Sequence, residues 1–147
     1  LDIKGGKALI ETSDYEKRIK VDRYRDIDFN GSKLIIENKV FVRGDIFISP
    51  GSVFVCPGST IKGNIHANTS VVVERGAMVY GCIESFSVEN RGEIKGNIEA
   101  NNFVSYMGKS EGNINAKFVL IAEHAVHIGL INAMCKKIHE QGRHLGT

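Results

Sequence analysis

Glu93-Ile94-Lys95-Gly96-Asn97-Ile98-Glu99-Ala100 is echoed sixteen residues later by Lys109-Ser110-Glu111-Gly112-Asn113-Ile114-Asn115-Ala116. An earlier copy reads Ile61-Lys62-Gly63-Asn64-Ile65-His66-Ala67. The shared unit, glycine with isoleucine two places on, recurs from Gly44, Gly63, Gly81, Gly96, Gly112 and Gly129, in steps of 19, 18, 15, 16 and 17 residues. A small residue follows the isoleucine at Ala67, Ser85, Ala100, Ala116 and Ala133. A copy without the glycine, Asp26-Ile27-Asp28-Phe29, precedes Asp45-Ile46-Phe47-Ile48 by 19 residues, so the array begins near Arg25.

Each unit carries a second short apolar stretch, as in Val53-Phe54-Val55, Val71-Val72-Val73, Phe103-Val104 and Phe118-Val119-Leu120. Gly58, Gly76, Gly92 and Gly108 follow these stretches, and glycine can supply the positive φ of a sharp bend. An apolar residue then stands two places before the next repeat glycine at Val42, Ile61, Val79 and Ile94, while Ser110 and His127 break that column. Short runs of valine, isoleucine and phenylalanine broken by glycine at a near-constant period predict a β-solenoid with about three strands per turn. The fold class expected is therefore all-β, a single-domain parallel β-helix of about six to seven turns, roughly 30 Å long at ~4.8 Å per turn. No turn buries its apolar row alone; stacking supplies the core.

Residues 25–133 form the repeat domain in this reading. Residues 1–24, where Ile19 and Val21 alternate like a strand, are expected to be a cap or an irregular first turn. Residues 134–147 leave the pattern and are expected to be a short basic tail or one frayed helical turn with partial disorder.

A chain of 147 residues is the size of one domain. Nineteen basic against seventeen acidic side chains leave a formal charge of +2, too little to drive phosphate-backbone binding, so nucleic acid is not expected as the main partner. Cys56, Cys82 and Cys135 are widely spaced and support neither a disulfide framework nor a zinc knuckle. The longest apolar run, Phe118 to Ala122, is far below the roughly 20 residues of a spanning helix. The sequence opens at Leu1 rather than methionine, which leaves room for an upstream segment that includes a membrane anchor.

Tests for chemistry are negative. Gly58 and Gly63 have the glycine spacing of a phosphate-binding loop, but Asn64 and Ile65 stand where lysine and a hydroxyl residue would hold phosphate and magnesium. His66 and His127 lie three to four turns apart, too far for one zinc ion, and His127 is read as a hydrogen-bonded, partly buried residue of the Val42 column. No nucleophile constellation falls on adjacent turns. Neither a metal nor a cofactor is expected. A left-handed hexapeptide helix of the acyltransferase type, with 18-residue turns, is permitted by the first two steps, but the later steps of 15 to 17 break its six-residue phase.

The Gly-Asn-Ile units with Ala67, Ala100 and Ala116 resemble the signature of the bactofilins, and the resemblance extends over about residues 25–133. It departs at Cys82 and Leu130, which replace the asparagine. The resemblance implies a right-handed β-helix that polymerises end to end without nucleotide. It also implies a cytoplasmic scaffold at the inner membrane that supports cell shape and recruits cell-wall enzymes. The ends of a solenoid carry unpaired strand edges and are the places where function is expected. At the C-terminal end Ile128 and Leu130 stand at normally polar positions, so Phe118, Leu120, Ile128, Leu130 and Ile131 are expected to form a self-association surface. Ile27, Phe29, Leu34 and Ile36 form the weaker N-terminal candidate. The alternative is a capped solenoid that binds partners on a lateral face, with a hexapeptide-type transferase third.

Overall fold

The computed structural model describes residues 16–139 and 141–146. In chain order the strands are β1 (Glu16–Ile19), β2 (Ile27–Ile36), β3 (Phe41–Arg43), β4 (Ile46–Val55), β5 (Thr60–Lys62) and β6 (Ile65–Val73). Next come β7 (Met78–Tyr80), β8 (Ile83–Asn90), β9 (Glu93–Lys95), β10 (Ile98–Glu99), β11 (Asn102–Ser105) and β12 (Lys109–Glu111). The last four are β13 (Ile114–Ile121), β14 (Val126–Ile128), β15 (Ile131–Ile138) and β16 (Arg143–Leu145). There is no helix among the described residues.

Every pairing is parallel and joins a strand to its counterpart one coil away, as in Ile46 with Ile65, Ile65 with Ile83 and Ile83 with Ile98. The fold is a parallel β-solenoid. The nine-stranded sheet gives eight rungs because β10 and β11 share one between β8 and β13. The seven-stranded sheet gains an eighth rung from the Arg23–Val42 bridge. Eight coils thus replace the six to seven expected: β1 adds one in the segment read as a cap or irregular first turn, and β15 with β16 completes one in the segment read as a tail.

The long strands bend across two faces, so each coil is three-sided. In β4, Ile46 and Ile48 point inward on the first face and Val53 and Val55 on the second, with a register shift where Pro50 and Gly51 turn the corner. The third face is the short strand carrying Val42, Ile61, Val79 or Ile94, all fully buried. β-Branched residues suit this pleated, half-covered surface, and each inward side chain is covered above and below by its own equivalents.

Two kinds of glycine hold the coils. Gly112 has φ +133° and a Cβ there would stand 2.5 Å from the carbonyl oxygen of Gly96, so the third corner needs glycine for both conformation and space. Gly76 is a left-handed turn residue (φ +86°) with open space for a side chain, and Lys39 and His124 occupy equivalent turns at φ 61° and 62°. Gly92 and Gly108, expected to bend the chain in the same way, do not have positive φ. They are small for a different reason: a Cβ on Gly108 would lie 2.8 Å from the oxygen of Asn90. The column after the corner glycine forms a side-chain ladder. Oδ1 of Asp26, Asp45, Asn64 and Asn97 accepts the backbone N–H of Asp45, Asn64, Cys82 and Asn113 respectively, at 2.8 to 3.0 Å. Cys82 has no oxygen to offer the next coil, so its substitution removes one rung of the ladder worth about 1 kcal/mol.

Candidate functional site

The C-terminal end is built differently from its expectation. The described residues after 133 continue the solenoid: β15 pairs along β13 and β16 along β14 and form a last coil. Its signals were a glycine, Gly146, 17 residues after Gly129, and Ile131-Asn132-Ala133 repeating Ile114-Asn115-Ala116. Two inward columns are polar in this coil, with Lys136 in the register of Val119 and His144 in that of His127, which hides the repeat from a hydrophobicity reading.

Phe118, Leu120 and Ile128 are therefore not end residues. They pair laterally with Cys135, Lys137 and Leu145 and point outward from the rod one coil below the end. Leu130, 43% exposed, opens the last coil, and Ile131 lies on its free-edged rung. The end itself presents Ile131, Ala133 and the 36%-exposed Ile138 at inward positions, with Lys136, Lys137 and Arg143 around them.

The N-terminal assignment also changes. Leu34 and Ile36 are covered by Lys17 and Ile19 of β1 and are fully buried, and Ile27 and Phe29 are buried in the same second coil. The column of Ile36 continues back to Ile19, so the described N-terminal edge is β1. Arg18 bridges Glu16 and Glu37 there, each at 2.8 Å. The part of the expected cap before residue 16 lies outside the described residues.

Along the sides, the cationic column resolves into a local arrangement: the Lys62 and Lys95 ammonium groups lie 5.6 and 5.9 Å from the Tyr80 ring centroid. On the second face the outward column reads Ile35, Phe54, Val72, Glu89, Val104 and Leu120, an apolar stripe interrupted by one carboxylate paired with Arg91. A groove of about 410 Å³ crosses three coils at the first corner, floored by Ala67, Ser85 and Ala100 and walled by His66, Glu84, Glu99 and exposed Phe86. Glu84 and Glu99 stand in register on neighbouring rungs. His66 stacks on Phe47 and has Nδ1 3.3 Å from Glu84.

His127 is completely buried, where partial burial was expected. Its Nδ1 is 2.7 Å from Ser110 Oγ, and its ring lies 5.6 Å from that of His144. His144 in turn donates from Nε2 to the Gly129 carbonyl at 2.7 Å. Burial, and secondarily His144, hold His127 below histidine's ordinary value, against a smaller pull from nearby backbone carbonyls. Cys56 is pushed up by partial burial and by Glu37 and Glu74, the opposite of an activated thiol.

The parallel β-solenoid, with unpaired strand edges at the last coil, defines a class of stacked-repeat protein whose open surfaces are its ends and its flat sides. Residues 34–132 match the family described as Bactofilin: Polymer-forming cytoskeletal, and the chain belongs to that family. It is accordingly a structural, cytoskeletal scaffold protein of a self-associating type. No curated protein and no solved structure matches the chain. No helix among the described residues is long and apolar enough to cross a membrane.

Proposed function

We propose that the rods join end to end into filaments without nucleotide and serve as a cytoplasmic scaffold for cell shape or envelope organisation. The observation that carries this reading is the last coil. β15 and β16 are each paired on one side only, and Ile131, Ala133 and Ile138 lie beneath that free edge. A second rung stacked there would complete the backbone ladder and cover the apolar row, as every internal coil does for its neighbour. Like-to-like contact at both ends gives two-fold junctions and a filament without polarity. Recruitment to the inner membrane and of cell-wall enzymes belongs to the same proposal and rests on the family. So does the absence of catalysis, which fits side chains engaged in packing and ladders rather than in a reactive cluster.

A second reading is favoured by the groove at the first corner: a lateral binding module whose Glu84, Glu99 and Phe86 take a cationic partner. Negative-stain electron microscopy of purified protein in nucleotide-free buffer separates the two. Filaments a few nanometres wide, about the width of one solenoid, are expected; discrete short rods at all protein concentrations would sink end-to-end assembly and leave the lateral reading standing.

A further inference from the structure

The third face begins as an apolar column, Val42, Ile61, Val79 and Ile94, and ends as Ser110, His127 and His144, so a polar line runs inside the rod to its C-terminal end. His127 Nε2 is buried without a hydrogen-bond partner among the described residues. Ser110 Oγ satisfies the other nitrogen in either tautomer, donating to a bare Nδ1 or accepting from Nδ1–H. A second proton would therefore put a full charge into the core, met only by nearby backbone carbonyls such as those of Leu130 and Gly112.

Nothing inside the rod would neutralise that charge. By register, the inward positions near it belong to Phe103 and Ser105 on β11, Ile114, Ala116, Val119 and Ile121 on β13, and Ile131, Ala133, Lys136 and Ile138 on β15. None is a carboxylate. The titratable groups nearest His127 by register are His144 on β16 and, in the last rung, Lys136 on β15, and neither can supply a negative charge. Glu111 and Glu123 are exposed on the outside of the same coils.

We propose that buried His127, packed against His144, makes the C-terminal coils a pH-responsive element: closed while the His127 ring is neutral, opened by its protonation, and so coupled to self-association at that end. The coupling follows from position, because His144 lies on the terminal rung that a second copy would cover. This second half rests on the assembly reading above.

The sign follows from linkage. The folded chain holds His127 neutral to a lower pH than the unfolded chain does, so unfolding takes up a proton over a window that begins near histidine's ordinary 6.5 and extends downward. The contribution is full above that window and is lost as pH falls through it, approaching a tenfold gain in the opening equilibrium per pH unit.

The test compares wild type with His127→Val, which restores the apolar column, by amide hydrogen exchange at about pH 7.5 and about pH 5.5, corrected for intrinsic rates, and by sedimentation at both. In wild type, opening of β14, β15 and β16 is expected to rise in acid, by up to about tenfold, while β4 and β6 stay protected, and the critical concentration for polymer is expected to rise with it. His127→Val should show neither change. His127→Asn, which keeps a partner for Ser110 without a titrating ring, makes the same comparison if valine does not fold. An equal acid response in the variants, or none in wild type, overturns the switch. Absence of polymer at both pH values in all proteins overturns the assembly reading, whereas the exchange contrast then decides the switch by itself.

Discussion

Gly112→Val is expected to unfold the last three coils. The residue sits at φ +133°, and a Cβ at that site would stand 2.5 Å from the oxygen and 2.8 Å from the carbon of the Gly96 carbonyl. Those are backbone atoms of the preceding corner, held by the hydrogen bond from Gly96 N to Glu111 O, and they cannot rotate away as a side chain would. Backbone strain costs about 1–2 kcal/mol for a residue with a Cβ, and a β-branched side chain raises it. Relieving the overlap also requires the coil spacing to open, which breaks the pairing of Ile98 with Ile114 and the Asn113 N–H bond to Asn97 Oδ1. The sum is expected to exceed about 4 kcal/mol, a large share of the ~5–15 kcal/mol that holds an ordinary domain. Because each coil leans only on its neighbours, the damage should propagate toward the C-terminus and spare coils built from β2 to β6. Limited proteolysis would then release a protected N-terminal fragment. Gly76→Asn is the contrasting change: the site is left-handed but open, Lys39 and His124 are already tolerated in equivalent turns, and a loss within about 1 kcal/mol is expected. Equal melting temperatures for the two variants would remove the steric account of the corner.

How much of this was legible in the sequence differs from column to column. The first-face isoleucines, from Ile46 to Ile131, and the corner glycines repeat so regularly that the solenoid and its three-sided coil follow from spacing alone. The spacing gives coil lengths of 15 and 16 but not where the residues are lost. The coil of 15 loses one residue at the first corner, between Ser85 and Ser87, and two at the second, where Asn90 replaces the valine of earlier coils, donates from Nδ2 to Lys109 O and accepts at Oδ1 from Gly92 N; Ser105 takes that place in the coil of 16. The last coil escaped because two of its core columns carry Lys136 and His144, so that an apolar template stops at Ala133 while the glycine step of 17 continues to Gly146. The first coil, expected as either a cap or an irregular first turn, was harder to read because only β1, with Ile19 as its buried residue, and the Arg23 bridge carry it. Misplacing both ends moved the candidate surfaces inward by a coil. That is why Ile128, exposed as expected, faces sideways and Leu34 and Ile36 are core.

Ile138→Asp is expected to abolish assembly through the C-terminal end while leaving the rod folded. Ile138 follows Ile121 in the inward column of the second face, yet it is 36% exposed because no strand among the described residues stacks above it. In the lone rod an aspartate there keeps contact with water and loses only part of one isoleucine's burial, about 1 kcal/mol. In a junction the same carboxylate would be enclosed, and in a two-fold contact it would face its own copy near the axis. Desolvating the carboxylate and losing the isoleucine's packing costs several kcal/mol that Lys136 beside it offsets only in part, and about 4 kcal/mol already corresponds to roughly a thousandfold loss in the association constant. Ile128→Asp, a lateral position beside Leu145, should leave filaments intact even though the substitution is chemically identical. Sedimentation of the two variants with circular dichroism as a folding control makes the comparison, and long filaments from Ile138→Asp would rule out this end. The size of the stalled species reads the symmetry. If the ends pair like to like, the intact N-terminal ends still meet and growth stops at dimers; if the C-terminal end meets the N-terminal end of the next rod, every junction contains the aspartate and only monomers remain.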